Sequence, residues 1–238
     1  MRVPTGQPPT GQPEGAEPIP AATVVVLRDG PDGLETLLLR RDSRLAFAGG
    51  MWVFPGGRID TVDHDPPGTG DLTDAARRAA VREAREEAGI ELDPASLVWF
   101  SHWTPPAITP KRFATWFFVA PAPRPDAEIV VDDGEIRGFA WMTPRDALAR
   151  RNASEIELAP PTWITLEHLA VHPSVEVALQ ALGSRPPEHF ETRFAPVDGG
   201  AVALYHGDAG YEDLDPRRPG PRHRLWMLDD GWRYERHP

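Results

Sequence analysis

Between residues 74 and 88 the chain reads DAARRAAVREAREEA and then meets Gly89. So dense a run of Ala, Arg and Glu, with no Pro or Gly inside it, favours a helix, and Gly89 stands where a helix-terminating glycine belongs. Thr73 or Asp74 is the expected N-cap. Short apolar runs flank this helix on both sides. Upstream, Ala22 to Leu27 (ATVVVL), the turn residues DGPDG and Leu34 to Arg41 (LETLLLRR) read as two adjacent strands, and Met51 to Phe54 reads as a third that ends in Pro55-Gly56-Gly57. Downstream, Leu97 to Trp103, Arg112 to Ala120 and Ile136 to Met142 read the same way. Strands on both sides of one central helix predict a mixed α/β (α+β) domain.

Three shorter helices follow. Thr143-Pro144-Arg145-Asp146 combines an N-cap, a proline at the first helical position and an acid at the third, so a helix should run to about Arg150. Others are expected from Pro161 to Ala170 and from Ser174 to Leu182. Glu191 to Glu235 alternates again, with an Asp229-Asp230-Gly231 turn, and predicts a small antiparallel group. The first twenty residues (MRVPTGQPPTGQPEGAEPIP) offer little to bury and read as a disordered Pro/Gly-rich tail. The expected organisation is therefore a tail over 1–20, a main domain over 21–182 and a β-rich extension over 183–238. The extension is a candidate lid or homodimer interface.

Composition removes several functions. The chain has no cysteine, which excludes a disulfide framework, a thiolate metal site and a cysteine nucleophile. With 25 Lys and Arg against 36 Asp and Glu, a net charge of −11 argues against coating nucleic acid. No apolar run approaches the ~20 residues that span a bilayer. The expected compartment is the cytoplasm, without nucleic-acid or membrane partners.

Chemistry concentrates in Arg82-Glu83-Ala84-Arg85-Glu86-Glu87-Ala88-Gly89-Ile90. Residues three and four apart share a helix face, so Glu83, Glu86 and Glu87 project toward a common region and repel one another. One reading is a solvated acidic face offset by Arg82 and Arg85. The other is a cation site, because carboxylate oxygens are hard ligands suited to Mg²⁺ or Mn²⁺.

The Gly-Gly turn ahead of this helix and the Gly-Ile behind it bring out a resemblance. The segment resembles the Nudix box, G-x5-E-x7-R-E-U-x-E-E-x-G-U with U aliphatic, whose second half REAREEAGI matches, with small Ala84 in the first U position. The resemblance implies the Nudix fold, a mixed sheet sandwiched between helices, here with extra C-terminal helices and antiparallel strands. It implies that Glu83, Glu86 and Glu87 are catalytic metal ligands for Mg²⁺ or Mn²⁺, that Arg82 orients loop and helix, and that Gly57 is the leading glycine. The first half departs from the pattern: the expected Glu aligns with Asp74, which lies 17 positions after Gly57 where the family has 6, an apparent 11-residue insertion. Gly68 also meets the spacing, but it lies in a Pro/Gly-rich loop and is read as coincidence.

The activity implied is metal-dependent hydrolysis of a diphosphate linkage in a nucleoside diphosphate derivative. Leu37 to Gly57 resembles the Nudix subgroup that includes peroxisomal coenzyme A diphosphatases, which favours coenzyme A or acyl-CoA; ADP-ribose, NADH and dinucleoside polyphosphates stay open. Gly56 and Gly57 are expected at the substrate, as are Arg40 and Arg41, whose alternative is surface solvation. Glu135, in the Asp-Asp-Gly-Glu-Ile stretch, is either a further ligand or base, or an ordinary acidic loop residue. His64 with Asp63 and Asp65 has the residue types of a metal site, but in a loop these are more often simply polar, which is the reading taken. A different class of function, a Nudix-fold module that senses a nucleotide without cleaving it, would be marked by Asp74 and the insertion.

Overall fold

Six alanines on one stripe of the central helix, at 75, 76, 79, 80, 84 and 88, are fully buried. Their small side chains let the helix lie close against a sheet whose facing residues include Ala22, Val24, Val26, Leu37 and Leu39. In this computed structural model the residues described are 17–45, 48–64, 71–106, 112–124, 126–131 and 134–238. Contacts divide the chain into two compact units. One comprises Pro20–His102 and Thr115–Glu188; the other comprises Trp103–Ala114 and His189–Pro238, with the described residues up to Ile19.

In the first unit, β1 (Ile19–Gly30) and β2 (Gly33–Arg41) form the expected hairpin, with Leu27 opposite Thr36. β1 begins three residues ahead of the expected Ala22. The short β3 (Trp52–Val53) pairs with β2, and β4 (Gly56–Arg58), which the Gly-Gly pair concealed from the sequence reading, pairs with the start of β1. Helix α1 (Leu72–Ala88) follows, then β5 (Val98–Thr104), β6 (Phe113–Pro121) and β7 (Ile136–Met142). The order across the sheet is β7-β2-β1-β6-β5, with β3 pairing further along the same edge of β2 that β1 occupies and β7 antiparallel on the opposite edge. β1 and β6 run in the same direction: Ile19 donates to the Arg112 carbonyl and, further along, Ala122 donates to that of Leu27. The sheet is therefore mixed, as expected.

Local signals set the helix ends. Gly89 takes the left-handed conformation (φ 67°), and the Ile90 N–H returns to the Ala84 carbonyl, closing the last turn of α1. The N-cap is Asp71, whose carboxylate accepts from the Thr73 N–H at 3.0 Å; Thr73 and Asp74 lie inside the helix. Helices α2 (Pro144–Asn152), capped by Thr143, α3 (Pro160–Leu169) and α4 (Val175–Gly183), capped by Ser174, agree with their motifs. α2 packs on α3 and also touches β2. No described helix is long and apolar enough to cross a membrane.

The second unit holds an antiparallel sheet in the order β12-β11-β10-β9, built from β9 (Arg193–Val197), β10 (Gly200–Leu204), β11 (Arg222–Leu228) and β12 (Gly231–His237). Asp229-Asp230-Gly231 makes the expected final turn, with Gly231 at φ 142°. A further strand, β8 (Glu188–Glu191), lies outside that sheet, and Thr192 just beyond it donates to the Thr104 carbonyl. Within this unit Trp103 and Phe190 stack with ring centres 3.8 Å apart. Arg224 and Asp208, both out of solvent, meet in a two-pronged ion pair of 2.6 and 2.7 Å.

Candidate active site

The Phe54-Pro55-Gly56-Gly57 turn is pinned from below. The Pro55 carbonyl accepts both the Val24 N–H at 3.0 Å and the Thr23 hydroxyl at 2.6 Å, which aims the next N–H, that of Gly56, at α1. That N–H donates to the Glu87 carboxylate at 3.0 Å. One residue on, a side chain at Gly57 would meet the carboxylate of Glu83, which would have to swing aside from its present place. The alanine stripe and the two glycines together bring a helix flank and a turn into direct contact.

Arg82 organises the rest. Its guanidinium grips Asp63 with two prongs, Nε at 3.0 Å and Nη2 at 2.9 Å, and Nη2 also donates to the Arg58 carbonyl at 3.0 Å. Its Nη1 is shared between Glu83 at 2.8 Å and Glu86 at 3.0 Å. Hydrogen bonding to Asp63 comes first among the influences that hold the Arg82 proton more firmly than usual. Asp63 is 3 % exposed. It also accepts the Asp60 N–H at 2.8 Å, while Arg78 donates to its carbonyl at 2.5 Å.

The sequence reading missed Asp63 and aligned Asp74 in its place. Asp74 is exposed near the start of α1. Asp63 stands six positions after Gly57, the family's own spacing, so the additional residues fall between the acid and the helix rather than between the glycine and the acid. Counting forward from Gly57, instead of back from Arg82, would have found it. His64 is described beside it; Asp65 and Gly68 lie outside the described residues.

Arg41 completes the group. Its Nη2 donates to Glu135 at 2.7 Å and its Nη1 lies 3.9 Å from Glu87. Arg40 does not join it. Successive strand residues face opposite sides, Leu37 and Leu39 face α1 with Arg41, and Arg40 is left exposed on the other side. Glu135, 94 positions from Arg41 in the chain, is thus brought to the site while its own side chain stays 56 % exposed.

Among the described residues, two guanidiniums, Arg41 and Arg82, thus lie within 4 Å of six carboxylates: Asp60, Asp63, Glu83, Glu86, Glu87 and Glu135. Burial raises the Glu83 pKa, and it pushes that of Glu87 to about 8 against the opposing pull of the Gly56 N–H. Among the described residues no three acidic or histidine side chains converge as a ready metal cage, since Arg82 holds Glu83 and Glu86 while Gly56 holds Glu87. The donor set nevertheless fits a hard divalent cation: the oxygens are of the right type, and a cation would offset the burial that drives Glu83 and Glu87 toward protonation.

The description "NUDIX domain" matches residues 18–162. This chain belongs to the NUDIX family. The acyl-coenzyme A diphosphatase NUDT19 of Homo sapiens is 25 % identical over 280 residues, spanning 77 % of this chain and 74 % of that protein. The protein of the same name from Gallus gallus is 25 % identical over 299 residues, spanning 84 % and 78 %. Among solved structures, a NUDIX hydrolase from Alicyclobacillus acidocaldarius superposes with a TM-score of 0.63 at 25 % identity, covering 71 % of this chain and 99 % of that one. The chain is accordingly a NUDIX pyrophosphohydrolase of nucleoside diphosphate derivatives.

Proposed function

We propose that this enzyme cleaves the diphosphate bridge of coenzyme A or an acyl-CoA, using Mg²⁺ or Mn²⁺ held by Glu83, Glu86 and Glu87. The observation that carries the reading is the shortage of positive charge among the carboxylates packed against Gly56 and Gly57. When bound, a divalent cation would offset the negative oxygens of the P–O–P bridge and acidify a water. The chain's own residues do the rest. Arg82, anchored on Asp63, fixes the flank that carries Glu83 and Glu86. Gly56 and Gly57 seat the turn against the carboxylates of Glu87 and Glu83, at the edge of the proposed phosphate position. Arg41 points a guanidinium into the carboxylate group, where it can donate to a phosphate oxygen. Glu135, exposed and next to Arg41, is the proposed base that takes the proton of the attacking water.

The choice of coenzyme A rests on the NUDT19 relatives and on the Leu37 to Gly57 segment. ADP-ribose, NADH and dinucleoside polyphosphates are the competing substrates. We take residues 21–182 as the catalytic domain, 1–20 as a tail and 183–238 as an extension that is a candidate homodimer interface. The cytoplasm is the proposed compartment.

The test is turnover of these compounds with Mg²⁺ or Mn²⁺ in ¹⁸O-water, read by mass spectrometry. Coenzyme A should yield adenosine 3′,5′-bisphosphate and phosphopantetheine, with one ¹⁸O in one of the two fragments. Tight nucleotide binding without any cleavage would replace this reading with that of a sensor.

A further inference from the structure

On β7, the strand that follows Glu135, the phenyl ring of Phe139 stands in solvent, 43 % exposed. Among the described residues every other exposed large apolar side chain is aliphatic and lies in a helix or a connection. Phe139 is the one aromatic left open, and it sits in the middle of a strand. Among the described residues β7 pairs only with β2, so it is an edge of the sheet. An apolar ring on an edge invites pairing with another chain, where a charged residue would be the safe choice. Its place there asks for a role.

Strand register puts the ring on the face of the candidate active site. Leu39 stands opposite Phe139 and Leu37 opposite Trp141, so all four share one side of the sheet. That is the side α1 covers, since Leu37 and Leu39 belong to its core and Trp141 packs against it. Arg41, two residues beyond Leu39, faces the same way and reaches Glu87 on α1. β7 carries an extra residue at this level, because Arg40 stands opposite Gly138 and Arg41 opposite Ile136. The irregularity keeps buried Ile136 and open Phe139 on one side although they are three positions apart. Phe139 is therefore one strand across and two residues along from Arg41, about 8 Å by strand spacing and rise. Its neighbour on that side differs in cover. The Arg28 guanidinium lies over Trp141 at 4.3 Å, whereas no described ring or guanidinium is stacked on Phe139.

We propose that Phe139 is the platform on which the nucleobase of the substrate stacks while its diphosphate lies at Arg41 and the carboxylate cluster. A nucleoside diphosphate derivative carries its base one sugar away from the bridge, which is the kind of span that separates Phe139 from Arg41. The platform rests on the proposed function for the place of the diphosphate, and deepens it by naming what holds the other end of the nucleotide. Stacking needs only a π-face, so Phe139 selects a nucleoside over a base-free diphosphate without choosing among bases.

The experiment titrates ADP and inorganic pyrophosphate, which has the bridge but no base, into wild type, Phe139→Leu and Phe139→Trp with Mg²⁺ present. ADP should bind Phe139→Leu about tenfold more weakly, while Phe139→Trp keeps the wild-type affinity. Pyrophosphate should bind all three alike, which also reports that the site is folded. In NMR spectra the adenine ring protons should shift upfield on binding wild type and not on binding Phe139→Leu. An ADP affinity unchanged in Phe139→Leu overturns the proposal. So does a parallel loss of ADP and pyrophosphate, as a loosened site would give, or no ADP binding by wild type. Should wild type bind ADP but leave coenzyme A uncleaved, the proposed substrate fails while the titration still decides Phe139.

Discussion

Two arginines in this chain meet carboxylates in opposite ways. In the second unit, Arg224 and Asp208 are both out of solvent, and Asp208 also accepts the N–H groups of His223 and Gly210 at 2.8 Å each. Burial pushes Asp208 up, but Arg224 and those N–H groups outweigh it and hold the group below its usual value. Donors there exceed charges. In the first unit Arg82 faces Asp63, Glu83 and Glu86 at once, and Glu87 is left with one N–H and a guanidinium 3.9 Å away. Charges there exceed donors. A satisfied pair fixes a fold; an unsatisfied cluster is a place for something else to bind.

Removing a ligand charge from the unsatisfied cluster should have the largest effect. Glu86→Gln or Glu87→Gln is expected to lower kcat by at least ~10³, about 4 kcal/mol of transition-state stabilisation, with the melting temperature close to that of wild type. Steady-state kinetics beside thermal melts check this, and near-normal turnover would remove the contrast with the satisfied pair.

The satisfied pair should respond in stability. Arg224→Met leaves Asp208 buried without its partner and should cost about 3–5 kcal/mol in denaturant unfolding. A smaller effect on both counts is expected of Asp63→Asn, which keeps the shape but weakens the two-pronged grip on Arg82. It should lose about 1–3 kcal/mol of stability and about 10–100-fold in metal affinity or turnover.

The two regions should also differ in the sign of their pH dependence. Glu87 without metal is raised from 4.5 to about 8, so the native state binds an extra proton between those values. Stability of the metal-free protein should fall as pH rises through that window, and Glu87→Gln should flatten the trend. Asp208 is lowered, so its contribution is present above about pH 4 and lost as pH falls below it, a trend that Asp208→Asn should flatten. Thermal melts across pH 3 to 9 read both slopes.

What the sequence made legible was whatever depends on near neighbours. The α1 composition with Gly89, Thr143 before Pro144 and Ser174 before α4 all act within one helical turn, and each appears where its motif places it. Asp63 was hidden because the spacing was counted back from Arg82, and the additional residues between Asp63 and α1 moved that count onto Asp74. Arg40 and Arg41 look alike in sequence, and only the side of the sheet to which α1 is docked separates them. Glu135 and Phe139 acquire meaning from β7 pairing with β2, a long-range event that composition does not encode. β4 was invisible because Gly-Gly has no strand propensity, and its pairing with β1 comes from tertiary contact.

The central claim is that Glu83, Glu86 and Glu87 beside Gly56 and Gly57 await a divalent cation. Counting bound Mn²⁺ by electron paramagnetic resonance, in wild type and in Glu87→Gln without substrate, tests it most directly. Wild type should bind Mn²⁺ with an affinity that strengthens as pH rises toward 8, and Glu87→Gln should weaken it at least about tenfold and lose that pH dependence. Equal binding by the two proteins, or none by wild type, would contradict the account.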